Sequence, residues 1–255
     1  MTASTAQRWT PGIATLARTE WRLFLREPVG LYWGAGIPLL AFVVLGVLPG
    51  TSRPLESWGG LAPVAVYQPI LLQFCVTMLA LNALPPVLGA YRERGVLRRL
   101  AVTPMPASRL LAVQFAIHLA VALVTGAVVL VLGAVAFDLP LPEQLLGWVL
   151  GYVLTAVALL ALGLVLAAVL PSSKVAGAVG GILFFPLMFF AGLWVPRQGM
   201  SDTLRAISDW TPLGASVRAL TAATDGRFPP AGSLVVLTVY AVGFSALAVR
   251  SFRWQ

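Results

Sequence analysis

Charged residues are missing from six long stretches of this chain, and each stretch is rich in Leu, Val, Ala and Phe. The stretches are 28–52, 57–91, 110–137, 144–173, 175–196 and 228–249. Because about 20 apolar residues in a helix cross the hydrocarbon core of a bilayer, each stretch is long enough to span a membrane. Within lipid every backbone N–H and C=O group must be paired inside the protein, so only helices and closed barrels can cross. The stretches are too long and too uniformly apolar for the alternating strands of about 10 residues that form barrels.

The pattern therefore predicts an all-α membrane protein with one transmembrane domain over residues 1–255. We expect six transmembrane helices, at about 30–48, 64–90, 110–136, 145–170, 175–195 and 231–249. The link between the fourth and fifth helices, residues 171–174 (PSSK), is very short. These two helices are therefore expected to be antiparallel neighbours.

An amphipathic helix is predicted before the first span, over residues 13–27. Arg18, Arg22 and Arg26 are spaced four residues apart and share one face of this helix. Such a helix lies in the membrane interface, with its apolar side toward lipid and its arginines toward headgroup phosphates. Glu20 interrupts the apolar side.

The extracellular segment 196–230 is predicted to contain two short helices, within SDTLRAISDW and TPLGASVRALTAA. Ser201 and Thr211 are suitable N-caps, and Pro212 suits a first helical turn. The second helix is apolar on one side but too short to span. We expect it to enter the outer leaflet only part-way.

The distribution of basic residues sets the predicted orientation. Hydrophobic residues make up 59% of the chain and charged residues 10%, whereas soluble domains carry about 25% charged residues. With the N-terminus in the cytoplasm, 12 of the 17 basic residues fall in cytoplasmic segments, a bias that places both termini in the cytoplasm. We therefore interpret the net charge of +8 as a topology signal and expect no nucleic-acid partner. The twelve are Arg8, Arg18, Arg22, Arg26, Arg92, Arg94, Arg98, Arg99, Arg109, Lys174, Arg250 and Arg253.

The predicted spans lack the groups that several membrane functions need. Charged side chains inside a membrane usually carry ion coupling or proton relay, and none of the six predicted spans has one. The phosphate-binding sequence G-x-x-x-x-G-K-[ST] is missing, and the one lysine, Lys174, follows Pro-Ser-Ser. The spans also lack a Ser–His–acid set and a carboxylate cluster. We therefore expect no catalysis and no bound metal or cofactor, and we expect His118 to form a buried hydrogen bond between helices.

Mildly polar and aromatic side chains remain inside two of the spans. Gln73 and Thr77 lie one turn apart on one face of the second span, and the fifth span carries FFPLMFF at 184–190. Two interpretations of the polar side chains stay open. They form hydrogen bonds between helices, or they line a pathway for a bulky amphipathic substrate.

The segment after the second span carries a recognisable motif. It reads Arg92-Glu93-Arg94-Gly95-Val96-Leu97-Arg98-Arg99-Leu100, followed by Thr103-Pro104. This motif resembles the signature of type-2 permeases of ATP-binding-cassette (ABC) exporters, in which R-E-x-G-T-L leads through a short helix to Ser/Thr-Pro. Val96 stands where threonine is usual. The stretch Arg26-Glu27-Pro28, the six-span order and the helical outer segment also match, so the resemblance covers essentially the whole chain.

The physical chemistry of this segment agrees with the resemblance. Gly95 permits a sharp break after the second span. Leu97 and Leu100 are three residues apart and form an apolar ridge on a short helix. Such a ridge suits a groove on a soluble partner.

The resemblance implies the membrane-spanning subunit of an exporter in the bacterial cell membrane. Two copies, or this chain and a homologue, would pair and dock separate ATPase subunits, which would use ATP and Mg. Segment 91–108 would be the coupling segment, and spans two and five would line the pathway of a hydrophobic or amphipathic, drug- or antibiotic-like substrate. The residues expected to couple to the ATPase are Arg92, Glu93, Arg94, Gly95, Leu97, Leu100, Thr103 and Pro104. The residues expected in the pathway are Gln73, Thr77, Phe185 and Phe189.

Two alternative functions remain open at this point. A lipid or polysaccharide-lipid exporter would have the same architecture, although a bulky glycan would require a more polar channel. A membrane scaffold without transport activity is the alternative from another class, and it would not require an ATPase partner.

Overall fold

The computed structural model describes residues 10–26, 31–56, 60–96 and 108–251. All of its regular structure within these ranges is helical, which confirms the predicted all-α class. The helices are α1 (Thr10–Arg26), α2 (Ile37–Val47), α3 (Pro63–Glu93), α4 (Ser108–Phe137), α5 (Leu145–Val169), α6 (Ser173–Ala191), α7 (Asp202–Asp209), α8 (Pro212–Thr224) and α9 (Ala231–Ser251).

Five helices of the described ranges are long and apolar enough to cross a membrane, namely α3, α4, α5, α6 and α9. The first apolar stretch instead gives a shorter apolar helix, Gly34–Val47, whose first residues form a π-helical turn. It stops at Val47 because Leu48 precedes Pro49 and is held in an extended conformation. The predicted count of six spans is therefore not confirmed, and a crossing by this first helix stays a prediction.

The centre of the bundle is α3, which is buried along more of its apolar length than the other four long helices. A π-helical turn at Leu79–Ala83 interrupts it. Pro85, at the start of the following α-helical part, has no N–H group to donate to the carbonyl four residues earlier, that of Leu81. This missing donor favours the wider turn.

The π-helical turn brings the backbone of α3 against two glycines. A Cβ atom added to Gly163 of α5 would collide with the carbonyl oxygen of Ala80, and one added to Gly180 of α6 would collide with that of Leu81. Because α3 lies this close to both neighbours, the part of α3 from Leu79 to Glu93 is wedged between α5 and α6.

The short helices α7 and α8 lie where the sequence predicts two outer helices. The hydroxyl of Ser201 accepts a hydrogen bond from the Leu204 N–H (3.4 Å), and that of Thr211 accepts one from the Gly214 N–H (3.1 Å). The helix α8 is almost entirely buried against α3, α5, α6 and α9. It is thus a packed part of the bundle that is too short to span it.

Candidate functional site: the helix junction

The last turn of α3 connects to four other helices through three consecutive residues, Tyr91, Arg92 and Glu93. We call these residues and their partners the helix junction. The helix ends directly after them, because Gly95 adopts a left-handed conformation with φ of +68° and its N–H group donates to the carbonyl of Arg92 (3.0 Å). The end of α3 is therefore fixed at the point where its side chains reach its neighbours.

Arg92 caps the carboxyl end of α5. Its Nη1 atom donates to the carbonyl of Leu170 (2.8 Å), and its Nη2 atom donates to those of Ala167 (2.7 Å) and Ala168 (3.3 Å). The last carbonyls of a helix have no partner within it and carry partial negative charge, so a guanidinium group is favourable there. Its forked shape allows it to reach several of them at once.

Glu93 caps the amino end of α6. Its Oε1 atom accepts hydrogen bonds from the backbone N–H of Ser173 (2.7 Å) and from the Ser173 hydroxyl (3.1 Å). The amino end of a helix presents unpaired N–H groups and partial positive charge, which favours a carboxylate. One turn earlier, a Cβ atom added to Gly89 would lie 2.8 Å from the Ser173 nitrogen, so the backbones are nearly in contact.

Together, Arg92 and Glu93 hold both sides of the link between α5 and α6. The positive side chain meets the negative end of one helix, and the negative side chain meets the positive end of the next. The last turn of α3 is thus electrostatically matched to this link, and its position is coupled to that of both helices.

Tyr91 connects α3 to α1 and α4. Its hydroxyl donates to the Oε2 atom of Glu20 (2.7 Å), which also accepts a hydrogen bond from the Nε2 atom of Gln114 (2.6 Å). Glu20 is only 7% exposed, so the carboxylate that interrupts the apolar side of α1 turns into the protein. A buried carboxylate needs such donors.

A family model described as ABC-2 type transporter matches residues 11–224 of the chain. The chain belongs to the ABC-2 type transporter family. It is therefore a multi-pass membrane permease, of a family that generally works with an ATPase subunit, and it is not itself a nucleotide-binding domain. No curated protein matches this chain.

The predicted coupling residues of this ABC-2 permease are only partly within the described ranges. Arg92 and Glu93 contact the α5–α6 link as above, and Arg94 is exposed beside them. Gly95 ends α3 in its left-handed conformation. The remaining four, Leu97, Leu100, Thr103 and Pro104, lie outside the described residues. The helix α3 continues to Glu93, so the first residues of the predicted coupling segment 91–108 form the last turn of a long helix.

The four predicted pathway residues of the permease do not lie on one surface of a single subunit. Gln73 and Thr77 are fully buried, and the Thr77 hydroxyl donates to the Gln73 carbonyl (2.7 Å). Phe185 is 62% exposed and stacks on Trp194, and Phe189 is partly buried. Another aromatic residue of α6, Phe184, contacts α3: its ring and that of Phe74 pack edge to face, with their centroids 5.2 Å apart.

The arginines of α1 face outward, and the lone histidine packs against α1. Arg18, Arg22 and Arg26 are exposed, as an interfacial face requires. His118 Nδ1 donates to the carbonyl of Gln114 in its own helix (2.8 Å), and its ring packs edge-on against Phe24 of α1. The expected hydrogen bond of His118 between helices is thus replaced by an aromatic contact between helices.

The sequence alone did not predict which residues pair with one another at the helix junction. The signals were a carboxylate on an apolar face, at Glu20, and a serine-rich link that begins a helix, at 172–173. Neither signal identifies Tyr91, Gln114 or Glu93 as the partner, because these lie far away in the sequence.

Proposed function

We propose that this ABC-2 permease is the membrane-spanning subunit of an ATP-driven exporter that moves a hydrophobic or amphipathic small molecule out of the cell. Two permease copies, or one copy and a homologue, would act with separate ATPase subunits that bind and hydrolyse ATP with Mg. The observation that carries this proposal is the helix junction. The segment predicted to dock the ATPase is continuous with a helix end whose side chains hold α1, α4, α5 and α6.

The junction offers a physical route for coupling. A displacement of segment 91–108 by the ATPase would move the last turn of α3. Arg92 and Glu93 would carry the α5–α6 link with it, and Tyr91 would carry Glu20 and thereby α1. The helix α3 is also wedged against Gly163 of α5 and Gly180 of α6. The halves of α3, α5 and α6 nearest the helix junction would therefore move as one body.

The experiment is purification of the tagged permease from its native membrane and reconstitution with any P-loop ATPase that co-purifies with it. We expect a stoichiometric complex that accumulates a hydrophobic dye in inside-out vesicles only when ATP is present. A permease that recovers no ATPase would overturn the exporter and support the scaffold alternative. Preferential ATP-driven flipping of a labelled lipid over the dye would favour the lipid-exporter alternative.

Variants of Glu93 test the coupling route. Glu93→Ala removes the acceptor of the Ser173 N–H group, so we expect ATPase binding to persist while ATP-driven transport falls about fivefold, equivalent to about 1 kcal/mol of lost coupling. Glu93→Gln keeps an acceptor oxygen and should restore part of the transport. Lys174→Gln is the control, because it removes an exposed charge from the same link. Equal transport by Glu93→Ala and the control would show that the junction does not couple.

A further inference from the structure

A pocket of about 350 Å³ lies at the end of α3 opposite to the helix junction. Its volume is in the range of small-molecule sites, about 300–1,000 Å³. The start of α3 contributes mostly apolar residues and one amide, Gln68, with Leu139 and Pro140 beside them. Arg197, Gln198 and one side of α8 contribute the basic and most of the other polar side chains, together with Val217 and Ala222. The pocket therefore has a mainly apolar wall and a mixed wall that carries the basic side chains.

Two basic side chains of the pocket, Arg197 and Arg218, carry more positive charge than the one carboxylate that they share can neutralise. Arg197 Nη1 lies 2.6 Å from Asp209 Oδ1, and Arg218 Nη1 lies 3.1 Å from Asp209 Oδ2. Two guanidinium groups thus share one carboxylate, which leaves this triad with a charge of about +1. Arg227 and Asp225 at the rim balance each other, with Nη2 and Oδ2 at 3.1 Å. The carboxylate of Glu143 lies beside Gly226 and outside the pocket lining.

Among the described residues, Asp209 does not engage all the N–H donors of either guanidinium group of the triad. Arginine has five N–H donors, and Asp209 engages one Nη atom of each side chain. The Arg218 side chain is 42% exposed, so its outer edge is accessible from the pocket. A carboxylate or phosphate group matches the fork of a guanidinium, whereas a neutral or cationic headgroup does not.

We propose that this pocket binds a small anionic amphipath. Its carboxylate or phosphate group lies against Arg197 and Arg218, and its short apolar portion lies against Ala65, Val66 and Ile70. The inference goes beyond the proposed export function, because binding at this end of α3 requires neither the ATPase nor the coupling segment. The anion comes either from a lipid headgroup of the facing leaflet or from a soluble amphipath, and both present the same chemistry.

The test uses the full-length permease in phosphatidylcholine nanodiscs, titrated with octyl phosphate by isothermal calorimetry. We expect saturable binding of octyl phosphate and none of octanol. Arg218→Gln should weaken binding about tenfold, and Arg218→Lys should weaken it less. Arg205→Gln is the matched control, because Arg205 pairs with Asp202 on α7 and lies outside the pocket lining. Thermal melting of each variant shows whether it is folded.

A second variant keeps the proposal testable if Arg218→Gln does not fold. Ala65→Phe fills the apolar wall without removing a charge, and it should abolish octyl phosphate binding. Nanodiscs with added phosphatidylglycerol separate the two sources: competition with octyl phosphate supports a lipid headgroup, and undiminished binding supports a soluble amphipath. Absence of saturable binding to the wild-type permease, or equal affinities of Arg218→Gln and Arg205→Gln, would overturn the proposal. Loss of ATP-driven transport with octyl phosphate binding intact would count against the exporter and not against this site.

Discussion

The environment of Glu20 differs from what its position on an amphipathic helix suggests. Its carboxylate is buried and accepts hydrogen bonds from Tyr91 and Gln114. The sequence identifies Glu20 as an anomaly but cannot supply its partners, which lie 71 and 94 residues further along the chain. By contrast, the caps at Ser201 and Thr211 are local, with acceptor and donor three residues apart, and the sequence alone is enough to predict them.

Replacement of Glu20 tests whether this carboxylate fixes α1 to the bundle. Glu20→Leu removes the carboxylate that accepts hydrogen bonds from the Tyr91 hydroxyl and the buried Gln114 amide, so we expect a loss of about 1–3 kcal/mol in stability. Glu20→Gln keeps one acceptor oxygen and should lose less. The measurement is thermal unfolding in detergent, with Arg22→Leu, an exposed position on the same helix, as the control. Glu20→Leu as stable as Arg22→Leu would show that the carboxylate does not hold α1.

At the scale of elements, the close approach of α3 to α5 and α6 depends on glycines and on a π-helical turn. Hydrophobic periodicity predicts long helices here, but it contains no information about a wider turn within one of them. Pro85 and Pro86 are visible in the sequence, yet their consequence for the carbonyl of Leu81 depends on how the helix accommodates them. The position of the helices is therefore predictable, whereas their packing is not.

Adjacent glycines of α6 provide a matched test of this packing. A Cβ atom at Gly180 would collide with the Leu81 carbonyl, and one at Gly181 would meet nothing within 4 Å. We expect Gly180→Ala to destabilise the permease by about 1–3 kcal/mol through overpacking. Gly181→Ala should be neutral or stabilising by up to about 1 kcal/mol, because alanine favours a helix. Unfolding in detergent measures both, and equal stabilities would contradict the wedged position of α3.

For the whole molecule, the number of spans fixes the relative position of the termini. Six crossings place both termini on the same side, and five place them on opposite sides. The helix Gly34–Val47 is shorter than the five helices that are long enough to cross, but the positive-inside distribution predicts that it crosses. We expect fluorescent-protein fusions at either terminus to be bright, as cytoplasmic fusions are. A dark amino-terminal fusion beside a bright carboxyl-terminal one would show that this helix does not cross.

The segment after the helix junction is expected to bind an ATPase. This binding can be measured in intact cells with a photo-crosslinking amino acid at Leu97, and with Thr203, an exposed position on α7 at the opposite end of the bundle, as the control. We expect position 97 to capture a protein with a P-loop sequence and position 203 to capture none. Adducts of position 97 with lipid alone, and with no ATPase under any nucleotide condition, would contradict it.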